Sequence, residues 1–117
     1  MGVVRRSVGA DLAVAGADEQ ARFDCLVALT EACTNALVHG HGEATPRVSW
    51  RIDGATARFC IEDYSEHRWA KPTGGNRDPS GARIGGFGLQ LMRRLMDRVD
   101  ISIEEHGTTV ELAKRIR

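Results

Sequence analysis

Residues 18–39 read as one uninterrupted helix, and the side chains it carries limit what the rest of the chain can build. Within LVALTEACTNALVHGHG, Glu31, Asn35 and His39 recur at four-residue spacing, which stacks them on successive turns of one side. Leu26, Leu29, Cys33, Ala36 and Leu37 supply the adjoining apolar face, the face such a helix turns to a core. A carboxylate and a carboxamide at the margin of that face can both be presented to a cleft. The carboxylate can accept a proton, and the amide oxygen is a hard ligand of the kind Mg²⁺ takes. Glu and Asn four apart also occur on plain amphipathic helices, so the segments that follow decide what the pattern means.

Asp18 is placed to cap this helix, with Glu19 in its first turn favoured by the helix dipole. Gly40 and Gly42 end it. A shorter helix over 3–14 precedes it, with Val4, Val8, Leu12 and Ala13 near one face, and Ala15-Gly16-Ala17 breaks it. After Pro46 the apolar period changes to two: Val48, Trp50 and Ile52, then Ala57, Phe59 and Ile61. Asp53-Gly54 between these runs is a hairpin signal. Periodicity vanishes over about 64–85, which is rich in Gly, Pro, Asn and Arg. A loop of that length in a compact domain is functional or unstructured. A third helix opens in Gly86-Phe87-Gly88, with Leu89, Met92, Leu95 and Met96 facing inward. Strands at about 99–105 and 108–114 follow, joined at His106-Gly107. This order predicts an α+β two-layer sandwich: a largely antiparallel or mixed four-stranded sheet with helices on one face. At 117 residues, 1–117 is expected to be one domain with one core.

Composition removes several classes of function. The formal net charge is zero, so no global field draws the chain to nucleic acid or an anionic membrane. Basic runs stop at pairs (Arg5-Arg6, Arg93-Arg94, Lys114-Arg115) and no helix-turn-helix is recognisable, which argues against direct DNA binding. No apolar stretch approaches the roughly 18–20 residues of a membrane span, and no signal-peptide core opens the chain. A cytoplasmic protein is expected. Cys25, Cys33 and Cys60 lack CxxC spacing and read as buried thiols rather than a disulfide framework or zinc site. His39, His41 and Glu43 sit in a glycine-interrupted turn without a further ligand at metal spacing.

Three elements carry chemistry beyond the long helix. Asp63 ends a strand before the long loop, where a carboxylate can accept a hydrogen bond from an amine-bearing ring. Gly86 and Gly88 open a helix, where backbone N–H groups and the helix dipole suit a phosphate. Gly107-Thr108-Thr109-Val110 turns into the last strand and offers hydroxyls. Each has a bland alternative: a turn former, a loop end, ordinary strand residues.

Taken in this order, ExxxNxxxH, a strand-end Asp, a glycine-rich lid, GxGL and GTxV resemble the GHKL (Bergerat-fold) ATP-binding superfamily. LVALTEACTNALVHG, GGFGLQLMRRLMD and GTTVELAKR look more closely like the bacterial anti-sigma-factor serine/threonine kinases, over about 3–114. The resemblance implies ATP/ADP and Mg²⁺ as ligands, with Asn35 holding the Mg²⁺ that bridges the phosphates. It implies Glu31 as general base toward a partner's serine hydroxyl, or as the residue that positions the attacking group. Asp63, assisted by Thr108, would bind the adenine amine, and Gly86 and Gly88 would cradle phosphates. His39 would shape the pocket. Arg83 and Arg77, then Lys71, are candidate lid cations. The implied partners are a sigma factor and an anti-anti-sigma protein.

The chain departs from that pattern in two places. The family's DxGxG is here Asp63-Tyr64-Ser65-Glu66-His67, with both glycines replaced and a carboxylate added near a triphosphate site. Its usual first strand is missing, so either the chain is truncated or the sheet has one strand fewer. An unpaired edge would be open to a second subunit, and a homodimer is expected. Two readings follow: an ATP-dependent serine/threonine kinase, favoured by Glu31, Asn35 and Asp63, and a non-catalytic partner-binding module, favoured by Ser65 and His67. A sensor histidine kinase domain is disfavoured by the absence of a phosphoacceptor helix. A chaperone or topoisomerase ATPase is disfavoured by size.

Overall fold

The computed structural model describes residues 2–39, 46–63, 88–104 and 107–117, with side chains for all of these except 35–39 and 104. Its elements are α1 (Gly2–Val14), α2 (Glu19–His39), β1 (Arg47–Asp53), β2 (Thr56–Asp63), α3 (Gly88–Leu95), β3 (Arg98–Glu104) and β4 (Gly107–Arg115). The segment expected to form a lid, about 64–85, lies outside the described residues.

Local chemistry sets the element boundaries. Gly16 has φ 91°, which an L side chain adopts only with strain. Around it the Ala17 N–H donates to Leu12 O at 3.0 Å and the Gly16 N–H to Ala13 O at 3.1 Å, the paired bonds that close a helix C-terminus. Two residues later Asp18 Oδ1 accepts from the Ala21 N–H at 2.8 Å and caps α2 as expected. In the β1–β2 hairpin Asp53 pairs with Thr56, so Gly54 and Ala55 form the loop. Gly54 takes φ 58°, the left-handed geometry a two-residue hairpin asks for.

The four strands lie in the order β1-β2-β4-β3 and every neighbouring pair is antiparallel. The register sorts side chains into rows. Trp50, Phe59, Leu112 and Val99 form one, and Val48, Ile61, Val110 and Ile101 another. These rows face the helices and, Ile101 apart, pack with Val8 and Leu12 of α1, Leu29 of α2, Met92 of α3 and Met96 just after it. Burying side chains of this size contributes roughly 1.5–3 kcal/mol each. The opposite face carries Arg51, Arg58, Arg98, Asp100 and Glu111. Trp50 Nε1 donates to Asp11 Oδ2 at 2.8 Å and ties α1 to β1.

Two details differ from the sequence reading. Ala13 is exposed, and Leu26 is only partly buried. The most deeply buried side of α2 is instead largely small: Ala21, Cys25, Ala28 and Ala32, beside Leu29. Small side chains let the helix lie close on β2 and β4, both of which it contacts. Cys25 and Cys33 are buried free thiols and Cys60 is half-buried. Among the described residues no helix is long and apolar enough to cross a membrane.

Candidate functional site

The strand register brings two of the expected site residues face to face. Asp63 is the last residue of β2 and Thr108 the second of β4, and they are direct cross-strand partners. Opposed residues of an antiparallel pair have Cα atoms about 4.5–5.5 Å apart with side chains on one face. Both side chains are buried, Asp63 at 4% and Thr108 at 3% relative exposure. Thr108 Oγ1 has no hydrogen-bond partner among the described residues. Few buried polar atoms in folded proteins stand alone, and each carries a desolvation penalty. A carboxylate that accepts and a hydroxyl that can donate or accept, side by side at a strand end, fit the amine edge of an aminopurine.

Ile103 completes this row on β3, opposite Thr108. It is 43% exposed although it stands beside the buried Thr108. The sequence reading did not single it out. Its signal was the alternation Val99, Ile101, Ile103, which places it on the helix-facing side once the register with β4 is known.

The other expected residues divide by element. Glu31 lies on α2 and is part-buried, on a helix that rests on the strands carrying Asp63 and Thr108. Asn35 and His39 occupy the next two turns of α2, with side chains outside the described residues. Gly88 is buried and is the first residue of α3, so the N-terminal end of that helix dipole begins there. Gly86, Arg83, Arg77, Lys71 and the segment Tyr64–His67 lie outside the described residues. Among those described, no group of three or more His, Cys, Asp or Glu is arranged to hold a metal.

Comparison with known proteins places this geometry. Residues 1–114 match the histidine kinase-like ATPase domain family. The chain belongs to that family. A curated relative, the serine-protein kinase RsbW of Bacillus licheniformis, is 27% identical over an alignment of 124 positions that covers 97% of this chain and 77% of that protein. Among solved structures, the histidine kinase domain of the blue-light activated histidine kinase from Erythrobacter litoralis superposes with a TM-score of 0.53 at 23% identity. That match covers 83% of this chain and 45% of the solved one, so the chain spans less than half of that structure. The likeness is one of fold: an open antiparallel sheet with helices on one face.

Proposed function

We propose that this chain binds ATP with Mg²⁺ at the Asp63–Thr108 end of the sheet. We further propose that it is an anti-sigma regulatory factor with serine/threonine protein kinase activity, holding a sigma factor and phosphorylating an anti-anti-sigma protein. The observation that carries the nucleotide reading is the buried Asp63–Thr108 pair, whose hydroxyl has no partner among the described residues. Membership of an ATPase domain family and the likeness to a protein named as a serine-protein kinase support the rest.

When bound, Mg²⁺-ATP supplies the transferable phosphoryl group. The chain's own part is positioning and charge stabilisation, which is most of what phosphoryl transfer requires. Asp63 would accept from the exocyclic amine of adenine, assisted by Thr108 Oγ1. The N-terminal turn of α3, from Gly88, presents backbone N–H groups to phosphate. Asn35 would hold the metal through its amide oxygen. Glu31 accepts the proton of the attacking hydroxyl, in the role of general base.

A second reading rests on Asp63-Tyr64-Ser65-Glu66-His67, where the resembled family carries DxGxG. Side chains in place of both glycines favour a partner-binding module with weak or lost nucleotide binding. Calorimetric titration with ATP and ADP, with and without Mg²⁺, separates the two. Micromolar, Mg²⁺-dependent binding that Asn35→Ala removes while the protein stays folded is expected. No heat at millimolar nucleotide would establish the binding-only reading.

A further inference from the structure

The least expected polar group in the fold lies at the opposite end of the sheet from Asp63. Lys114 of β4 sits on the helix-facing side, in register with Ala57. Its Nζ donates to Leu95 O, at the C-terminal end of α3, at 2.7 Å. The same ammonium lies 3.4 Å from Asp24 Oδ2 of α2, and the two side chains are only 18% and 12% exposed. Asp24 is held in turn by Gln20, whose Nε2 donates to Oδ1 at 2.8 Å. One ammonium thus joins α2, α3 and β4. The neighbouring backbone repeats the tie, since Asp97 N–H donates to Ala113 O at 2.9 Å and Asp97 Oδ2 accepts from Arg115 N–H at 2.7 Å.

The chain path gives this node a direction. Asp24, near the start of α2, is tied to Lys114, and the buried residues that follow it, Leu29, Ala32 and Cys33, belong to the core over the sheet with Phe59 and Ile61, so α2 runs from the Lys114 end of the sheet toward the Asp63 end. Helix α3 reaches the Lys114 end with its C-terminus and packs along α2. Glu31 stands seven residues beyond Asp24, on the same side of α2 and about 10 Å along it. Gly88 stands seven residues before Leu95, again about 10 Å along its helix. The two helices are fixed at one end and carry their candidate site residues at the other.

We infer that Lys114 is a positioning residue for the nucleotide cleft, setting the separation of α2 and α3 through Asp24 and the Leu95 carbonyl. The inference rests on the nucleotide reading above for what the cleft holds, but the clamp itself can be tested without nucleotide. Removing one partner of a buried ion pair strands the other, so the test uses two variants that weaken the clamp and one that retains its charge.

The 117-residue chain and its Lys114→Met, Lys114→Arg and Asp24→Asn/Lys114→Met variants are compared by amide hydrogen exchange and by ATP titration with Mg²⁺. In Lys114→Met, exchange at the α3 amides is expected to quicken at least about tenfold relative to those of β1 and β2, and ATP affinity to fall by about as much. Lys114→Arg is expected to restore both to within about threefold. If Lys114→Met does not fold, the double variant, which leaves no unpaired charge, carries the same comparison. A folded Lys114→Met or double variant whose α3 exchange matches the wild type overturns the inference. If neither Lys114→Met nor the double variant folds, the pair is a folding requirement and the inference also falls. Absence of ATP binding by the wild type overturns the nucleotide reading alone, and the exchange data still decide the clamp.

Discussion

Asp63 and Thr108 face each other across β2 and β4, both buried, and the threonine hydroxyl has no partner among the described residues. A buried hydroxyl left without a hydrogen bond lowers stability by about 1–3 kcal/mol, and on the proposed reading a bound nucleotide would satisfy it. Thr108→Val keeps the shape and removes the polar atom. In the absence of nucleotide the variant should melt higher than wild type, by about 1 kcal/mol of stability. ATP affinity should fall about 5–30-fold, the equivalent of roughly 1–2 kcal/mol. Thermal melts and calorimetry read the two effects separately. A variant that is both less stable and equally tight in binding would mean that the hydroxyl is bonded in the fold and plays no part in recognition.

Glu31 tests the chemical step apart from binding. It is part-buried on α2, two turns beyond the clamp residue Asp24. Glu31→Ala should leave ATP affinity within about threefold of wild type and lower phosphotransfer to a serine-bearing partner by about 10²–10⁴-fold, the usual contribution of a general base. Single-turnover transfer of labelled phosphate measures this. Transfer at the wild-type rate would remove Glu31 from the role of base.

Much of the fold was legible because it depends on periodicity and punctuation, both local. The change from helical to alternating apolar spacing after Pro46 placed the β1–β2 hairpin, and Asp18 marked the start of α2 two residues past the Gly16 break. The Asp63–Thr108 pairing was foreseen only through a family resemblance. The residues lie 45 positions apart, and no local pattern sets which strand lies beside β2. The Asp24–Lys114 ion pair had no signal at all. Lys114 sits among charged neighbours at the chain's end and reads as a solvated residue until the register turns it inward. Ala21, Ala28 and Ala32 were overlooked for the same kind of reason, because alanine is a helix former that carries little burial signal.

Capping gives α2 a measurable dependence on one carboxylate. Asp18 Oδ1 accepts the Ala21 N–H at 2.8 Å, satisfying a donor the helix cannot satisfy itself. Asp18→Ala should lower stability by about 1 kcal/mol, while Asp18→Ser should recover most of it. Urea denaturation with an unchanged m-value checks this. An Asp18→Ala midpoint equal to wild type would show that water caps the helix equally well.

Cys25 makes stability sensitive to alkaline pH. The thiol is fully buried in α2 against the sheet. Burial pushes its pKa up to about 11, with Asp24 and Asp97 adding to the rise and Lys114 opposing it. An unfolded thiol ionises near 9.0. Below that pH both states keep the proton and the thiol favours neither. Above it the unfolded chain releases a proton that the folded chain retains, so stability falls as pH rises from about 9 to 11 and the loss is complete beyond the folded value. The loss attributable to this group is about 2 kcal/mol by pH 10.5. Cys25→Ala should melt lower than wild type at pH 8, by about 1 kcal/mol for the smaller side chain, yet lose less on going to pH 10.5. Melting curves of both proteins at pH 8, 9, 10 and 10.5 provide the comparison. Parallel declines would assign the alkaline loss to groups other than this thiol.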